Sequence, residues 1–271
     1  MIKQAIIPLA GLGTRLLPLT SVMPKELLPI NGKPGLEYIL EECLQAGIKQ
    51  FIFIISDKKL SIKKYFNNDQ FYRKILKKKK NNKDLISIYK KIKKYKKMIK
   101  FVYQNNPKGT GDAILRCQKY IKSKFFLILL PDDLIMKKNC SLSMIKLYKK
   151  YNSSVIASKL VNRKDVKRWG IFKLKKIDKN NFTIKDVIEK PSIKKAPSRY
   201  AVIGRYILPY KIFRILKNQK AGQNGEIHIT DAIRNLIHNN NDFIGHIFSG
   251  KYLDCGTMQG YINSTLKISK L

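Results

Sequence analysis

Ile6-Ile7-Pro8-Leu9-Ala10-Gly11-Leu12-Gly13-Thr14-Arg15-Leu16-Leu17-Pro18 starts as an apolar run and becomes a small-residue loop with an arginine behind it. The pattern predicts a buried strand from Gln4 to Leu9 that stops in a glycine turn. Glycine has no Cβ and tolerates positive φ, so at Gly11 and Gly13 the backbone amides can themselves approach an anion. Arg15 adds a planar fork of donors suited to phosphate oxygens. Lys25, in Pro24-Lys25-Glu26-Leu27-Leu28-Pro29, adds a mobile point charge. The loop matches neither common phosphate signature. It lacks the Gly-Lys-Ser/Thr ending of a P-loop, and its glycine spacing departs from the dinucleotide fingerprint.

Outward from this loop, Gln50–Ile55, Ile99–Gln104 and Phe125–Leu130 also read as buried strands. Leu36 to Leu44 has helical spacing and is followed by Gly47, a C-cap candidate. Ala113–Ile121 reads as a second helix after the turn Gly109-Thr110-Gly111. Strand and helix alternating in this way predict a doubly wound α/β sheet, with ligands outside the C-terminal ends of its strands. In the later half, Ser154–Lys159, Gly170–Leu174, Thr183–Ile188 and Ala201–Leu208 are candidate strands separated by polar turns, which predicts a mixed, partly antiparallel region. Thr230–His238 reads as a helix. Between about residues 58 and 97 lysines come in runs, with Ile88, Ile92 and Tyr95 at helical spacing. This reads as a helical excursion with a solvated basic face. The expectation is therefore a single domain over residues 1–271, with that excursion and a short C-terminal segment at about 240–271.

Composition narrows the class. A hydrophobic content of 44% over 271 residues is ample for a sizeable core. There is no long uncharged apolar run and no basic-then-apolar leader, so neither membrane spanning nor secretion is expected, and a cytoplasmic location is. Cys43, Cys117, Cys140 and Cys255 lack paired spacing and read as reduced, partly buried thiols; the three histidines form no ligand pattern. A formal net charge of +38 ordinarily points to nucleic acid or an anionic surface. Here Lys, Ile, Asn, Tyr and Phe are all abundant, and no recognised nucleic-acid module interleaves aromatics with the basic runs. The charge reads as compositional drift, and no dedicated nucleic-acid partner is expected.

Further segments carry chemistry. Gln104-Asn105-Asn106-Pro107-Lys108-Gly109 follows a strand and sets an amide, both donor and acceptor, over a glycine turn where a base edge could lie. Leu130-Pro131-Asp132-Asp133 ends a buried strand in carboxylates, the oxygen donors a hard divalent cation takes. Tyr252-Leu253-Asp254-Cys255-Gly256-Thr257 supplies a remote second carboxylate, with Cys255 read as packing. In Val187-Ile188-Glu189-Lys190-Pro191 a carboxylate can accept from sugar hydroxyls while the lysine neutralises a phosphate. Adjacent strand residues face opposite ways, so both serve one ligand only if the strand ends there, as Pro191 indicates. Thr230 and Asp231, in Gly225-Glu226-Ile227-His228-Ile229-Thr230-Asp231, read as helix caps. Taken singly, each segment also suits an ordinary turn or surface pair. Their order along one chain is specific.

Together these motifs resemble the signature of the sugar-1-phosphate nucleotidylyltransferases, from about Lys3 to about Leu266. The resemblance implies an α/β fold with a Rossmann-like, mixed, mostly parallel central sheet flanked by helices, of the nucleotide-diphospho-sugar transferase type. It implies magnesium-dependent transfer of UMP from UTP to α-D-glucose 1-phosphate, giving UDP-glucose and pyrophosphate. Carried over residue by residue, it makes Arg15, Lys25 and Lys190 catalytic. It makes Ala10, Gly11, Gly13, Glu26, Gln104 and Gly109 nucleotide-binding, with Gln104 and Gly109 at the base. Gly170, Glu189 and Gly204 bind sugar, the glycines leaving room for the ring, and Asp132 and Asp254 hold Mg2+. UTP and glucose 1-phosphate are the implied partners. A homodimer is expected, with a tetramer in doubt because the C-terminus stops soon after Ile268. Trp169 stands where the family more usually has Tyr, and Thr257 and Met258 vary the stretch after Asp254-Cys255-Gly256; neither departure removes a chemical group. Two alternatives stay open: thymidylyl transfer to glucose 1-phosphate, and a non-catalytic regulatory paralogue that binds nucleotide sugar.

Overall fold

The computed structural model describes residues 1–222 and 225–270. Strand β1 (Gln4–Pro8) runs into the glycine loop and a short ribbon of β2 (Pro29–Ile30) and β3 (Lys33–Pro34), then α1 (Gly35–Gln45) and β4 (Gln50–Ile55). Three helices follow, α2 (Leu60–Asn67), α3 (Asp69–Lys78) and α4 (Lys83–Met98), before β5 (Ile99–Tyr103). Next come α5 (Thr110–Leu115), β6 (Phe125–Leu129), β7 (Asp133–Met136), α6 (Cys140–Tyr151) and β8 (Ser154–Leu160). The remainder is β9 (Gly170–Lys176), β10 (Asn181–Glu189), β11 (Tyr200–Pro209), α7 (Ile212–Asn218), α8 (Ile229–His238), β12 (Phe243–Ile247), β13 (Lys251–Asp254) and α9 (Met258–Ile268).

The four N-terminal strands lie where the apolar runs place them, each stopping within a residue of its expected end. α1 closes as its sequence predicts. Gly47 adopts φ +84°, its N–H donates to the Leu44 carbonyl, and the Ile48 N–H donates to that of Cys43, both at 3.0 Å. This is the double bond of a Schellman cap. The helix expected over Ala113–Ile121 is displaced. α5 begins at Thr110 and ends at Leu115, and a 3-10 turn covers Gln118–Tyr120. Gly111 is inside the helix because its backbone is stitched to residue 227: its N–H donates to the Ile227 carbonyl at 2.7 Å. A Cβ there would meet Ile227 Cγ2 at 2.7 Å, so the glycine is needed for this close approach, not for a turn.

The main sheet has the order β5-β4-β1-β6-β11-β8-β12-β10-β9. Pairing is parallel from β5 to β6 and between β8 and β12; β11 runs antiparallel to β6 and β8, and β10 to β12 and β9. The sheet is mixed and flanked by helices, as expected. It is not mostly parallel, because β11 lies antiparallel between β6 and β8 and the antiparallel β9–β10 hairpin forms the far edge.

Alternation along the strands gives each face a core. Ala5, Ile7, Phe51, Phe53, Leu127 and Leu129 pack with Leu36, Ile39 and Leu40 of α1 and with Met144 of α6. Ile6, Ile52, Ile54, Phe126 and Ile128 pack with Ala113 of α5, Phe213 of α7 and Ile233 of α8. In the lysine-rich excursion Ile62, Phe66, Ile92 and Tyr95 are buried in the first core, while the lysine runs 77–80, 93–94 and 96–97 are exposed. All four cysteines are free and buried. No helix among the described residues is long and apolar enough to cross a membrane. Near the C-terminus β13 pairs antiparallel with β7, setting Asp254 opposite Asp133. That pairing brings the two acidic segments together.

Candidate active site

At the C-terminal edge of the sheet a cleft of about 720 Å³ is lined by residues from nearly every predicted motif, among them Arg15, Asp132, Gly170, Glu189, Lys190, Gly204 and Asp254. The glycine loop forms one lip. After β1 the Leu9 N–H still donates to the Ile54 carbonyl at 2.7 Å, and the chain then leaves the sheet. The two loop glycines do different work. Gly13 has φ +72° and carries the Thr20 hydroxyl on its carbonyl at 2.9 Å, so it fixes the bend. A Cβ on Gly11 would meet nothing within 4 Å, which leaves that backbone open to a ligand. Ala10 is buried beneath it.

Asp132 and Asp254 converge on Gly256. A Cβ on that glycine would lie 2.8 Å from Asp132 Oδ2 and 3.2 Å from Asp254 Oδ1. The Cys255 N–H donates to the Asp132 carbonyl at 2.8 Å, which ties the two segments together, and the Gly256 N–H donates to Asp254 Oδ1 at 2.9 Å. Each carboxylate carries a cation. Lys25 Nζ lies 2.6 Å from Asp132 Oδ2, with Arg15 at 3.8 Å, and Arg168 lies 3.2 Å from Asp254 Oδ2. Burial opposes the charge on Lys25, but Asp132 and Glu26 more than offset it and hold the ammonium above its ordinary value. Burial likewise opposes the Asp132 carboxylate, and Lys25 reverses the balance, so its pKa falls.

The donors suit a hard divalent cation, because both convergent groups are carboxylate oxygens. Among the described residues no group of three or more His, Cys, Asp or Glu could hold a metal. The protein therefore offers this pair, and the remaining ligands would have to be substrate oxygens and water. Asp133 is differently employed. Its Oδ2 accepts from the Gly204 N–H at 2.9 Å and its Oδ1 from the Tyr252 hydroxyl at 2.5 Å. Burial and the neighbouring Asp132 push its carboxyl up to about 6.

A buried ion pair holds this loop. Arg205 on β11, fully buried, donates to both Glu42 carboxylate oxygens, to the Asp133 carbonyl at 2.6 Å and to the Leu130 carbonyl at 3.2 Å. Glu42 comes from α1, so one guanidinium fixes the acidic turn against helix and sheet at once.

On the opposite wall the requirement that a strand end at Glu189 is met. β10 stops there, Lys190 takes φ +43°, and both residues line the cleft, with Nζ 3.8 Å from Glu189 Oε1. Thr230 donates to Glu189 Oε2 at 2.7 Å. It sits inside α8, which has no side-chain cap bond at its N-cap His228, so the expected capping role of Thr230 is corrected: its hydroxyl orients the carboxylate instead. Gly170 lies beside this pair; a Cβ there would meet Val202, Thr230 and Glu189 at 3.0–3.2 Å. At Gly204 the expectation of room for a ring fails, because the missing Cβ is replaced by Asp133 Oδ2 at 2.4 Å and Leu130 Cβ at 2.5 Å.

The expected base-binding residues lie past the neighbouring strands. Gln104 continues β5, its N–H donating to the Ile55 carbonyl at 2.8 Å, and its side chain is buried. Gly109 has φ +101° and backs onto the Ile227 backbone, where a Cβ would lie 2.6 Å from the carbonyl oxygen. Glu26 is buried against Lys59, whose Nζ lies 2.8 Å from both carboxylate oxygens. Burial pushes the Glu26 carboxyl up and the Lys59 ammonium down. The Glu26 side chain is thus committed within the protein, and the cleft lining does not include it. Arg168, Tyr206 and Thr230 line the cleft without having been singled out for it, and Ser56 Oγ is buried at the end of β4 with no hydrogen-bond partner among the described residues. The partners of Arg168 and Thr230, Asp254 and Glu189, are remote in sequence, and no local pattern marks these residues.

The nucleotidyl transferase family profile matches residues 4–270. A Bacillus subtilis protein named UTP--glucose-1-phosphate uridylyltransferase is 35% identical over 99% of this chain and 91% of its own length. A crystal structure of UDP-glucose pyrophosphorylase complexed with UDP-glucose superposes with a TM-score of 0.88 at 36% identity, covering 100% of this chain and 99% of that one. A UTP-bound UGPase from Acinetobacter baumannii gives 0.87 at 32% identity, covering 99% and 93%. Matched by the family profile over residues 4–270 and by these relatives over nearly its whole length, this chain belongs to the nucleotidyl transferase family, an enzyme family.

Proposed function

We propose that this protein transfers UMP from UTP to α-D-glucose 1-phosphate, releasing pyrophosphate and forming UDP-glucose. The observation that carries the reading is the convergence of Asp132 and Asp254 at Gly256, in one cleft with Glu189 and Lys190 on the far wall. The relatives' names supply the substrates. The sugar phosphate oxygen attacks the α-phosphorus in line as pyrophosphate leaves, so no enzyme nucleophile is needed and the protein's task is positioning and charge neutralisation.

In this reading Ala10, Gly11 and Gly13 cradle the phosphates through their backbone, while Arg15 and Lys25 neutralise the triphosphate and the departing pyrophosphate. Gln104 and Gly109 meet the base. Glu189, held by Thr230, accepts from glucose hydroxyls beside Gly170; Lys190 neutralises the attacking phosphate; Gly204 acts through Asp133. Glu26 contributes through the placement of its loop. Asp132 and Asp254 would hold Mg2+, which supplies charge stabilisation at the phosphates when bound. The continuous sheet, into which strands from β1 to β12 are built, supports reading the chain as a single domain.

The test is pyrophosphate release from UTP with purified protein, with and without glucose 1-phosphate and Mg2+. Release that needs all three is the expected result. Release with dTTP but not UTP, or none with retained UTP binding, would overturn it.

A further inference from the structure

Ser56 and Gln104, the residues just past the C-terminal ends of the adjacent strands β4 and β5, and Ala10, two residues past the end of β1, lie at the buried edge where the proposed function, on which this inference rests, seats the base. Gln104 is 3% exposed, so whichever end of its amide faces a ligand does so in a dry site. A glutamine amide is ambiguous: turned one way it accepts a hydrogen bond, turned the other it donates one. Here the choice is made by the protein. Nε2 donates to Asp112 Oδ2 at 2.6 Å and, more weakly, to the Gly109 carbonyl at 3.3 Å. Both partners are acceptors, so flipping the amide would set oxygen against oxygen. Arg116 Nε donates to the same Asp112 oxygen at 3.1 Å, which keeps that carboxylate turned toward the amide. No described residue donates to Gln104 Oε1.

We infer that Asp112 is a positioning residue that locks Gln104 with its carbonyl oxygen available to the base, and so selects pyrimidines that carry a hydrogen on N3. Uracil presents N3–H as a donor to that oxygen. Cytosine presents a bare N3 lone pair at the same place, and two acceptors would face each other in a buried site. A site built around one hydrogen bond rejects an analogue that cannot make it, because its own polar group is left unpaired. Thymine carries the same N3–H, so the lock passes dTTP as readily as UTP. Asp112 need not touch the nucleotide.

Asp112→Asn is the discriminating variant. Asparagine is nearly isosteric but brings a donor, so it can pair with Gln104 in either orientation and release the lock. The ratio of UTP to CTP affinity, read by calorimetry without sugar phosphate, and the ratio of kcat/KM are expected to fall about tenfold or more. Asp112→Ser, which also replaces an obligate acceptor with a group that can donate, is expected to move both ratios the same way. In a Gln104→Leu background Asp112→Asn should change the ratio less than twofold, since there is no amide left to orient. An unchanged ratio in the folded single variants, equal losses on both nucleotides, or the same shift without Gln104 each overturns the inference. So does a parent protein with no preference for UTP over CTP. Retained UTP preference in binding without pyrophosphate release overturns the proposed reaction and leaves this inference standing.

Discussion

Asp254 sits directly opposite Asp133 in the antiparallel pairing of β13 with β7, and this register places the second acidic segment one residue away from Asp132. Two carboxylates separated by more than a hundred residues thus meet because a four-residue strand has one register. A one-residue slip would turn Asp254 to the other face.

Asp132→Asn should test the pair without leaving Lys25 beside an empty space. We expect the rate of UTP-dependent pyrophosphate release to fall by at least about 100-fold, as when a preorganised charge-stabilising group is lost. The far-UV circular dichroism should be unchanged. Activity within a few-fold of the parent would remove Asp132 from the chemistry.

Thr230→Val keeps the shape of the side chain and deletes the donor to Glu189 Oε2. A hydrogen bond to a charged group contributes about 1.5–3 kcal/mol, so the KM for glucose 1-phosphate should rise about tenfold or more. The KM for UTP should stay within twofold, because Thr230 lies on the far wall. Parallel changes in both constants would mean a general distortion.

Glu42→Gln leaves the guanidinium of Arg205, fully buried, without its counter-charge. Breaking such a pair from one side costs about 3–5 kcal/mol. Urea unfolding should show that loss, and turnover should fall as well, because Arg205 also holds the Leu130 and Asp133 carbonyls. A variant as stable as the parent would show that the pair is solvated in solution.

These relationships mark where the sequence was readable. Apolar runs bounded by turns placed β1, β4, β5 and β6, and Gly47 ended α1, because strand burial and helix capping are local properties. Glu189 and Lys190 were legible as a pair through Pro191, which ends the strand. Glycines misled. Gly111 and Gly204 read as a turn and a space for sugar, yet each is a glycine because another part of the protein fills the place of its side chain. Glu42 with Arg205 and Glu26 with Lys59 were invisible as pairs, since partners separated by 163 and 33 residues leave no periodic trace. The Gln104 amide lies against the Gly109 backbone, with Nε2 3.3 Å from that carbonyl. Which end of the amide would be free could only come from Asp112.

His246 supplies a test of stability against pH. It lies on β12 with Nδ1 2.9 Å from Asn181 Oδ1, and burial lowers its pKa below the ordinary 6.5, with Asp178 opposing only in part. The unfolded chain therefore binds a proton at this residue at a higher pH than the folded chain does. Where the unfolded state holds more protons, stability rises with pH. The contribution is complete above about 6.5 and is lost as pH falls from there through the lower folded-state value. Other groups also titrate on acidification, so the comparison with His246→Gln isolates this one. Glutamine can keep a donor to Asn181 and has nothing to protonate. The fall in Tm between pH 7.5 and 5.5 should be smaller in the variant than in the parent. Equal falls would mean that solvent reaches the ring and that burial is not what lowers its pKa.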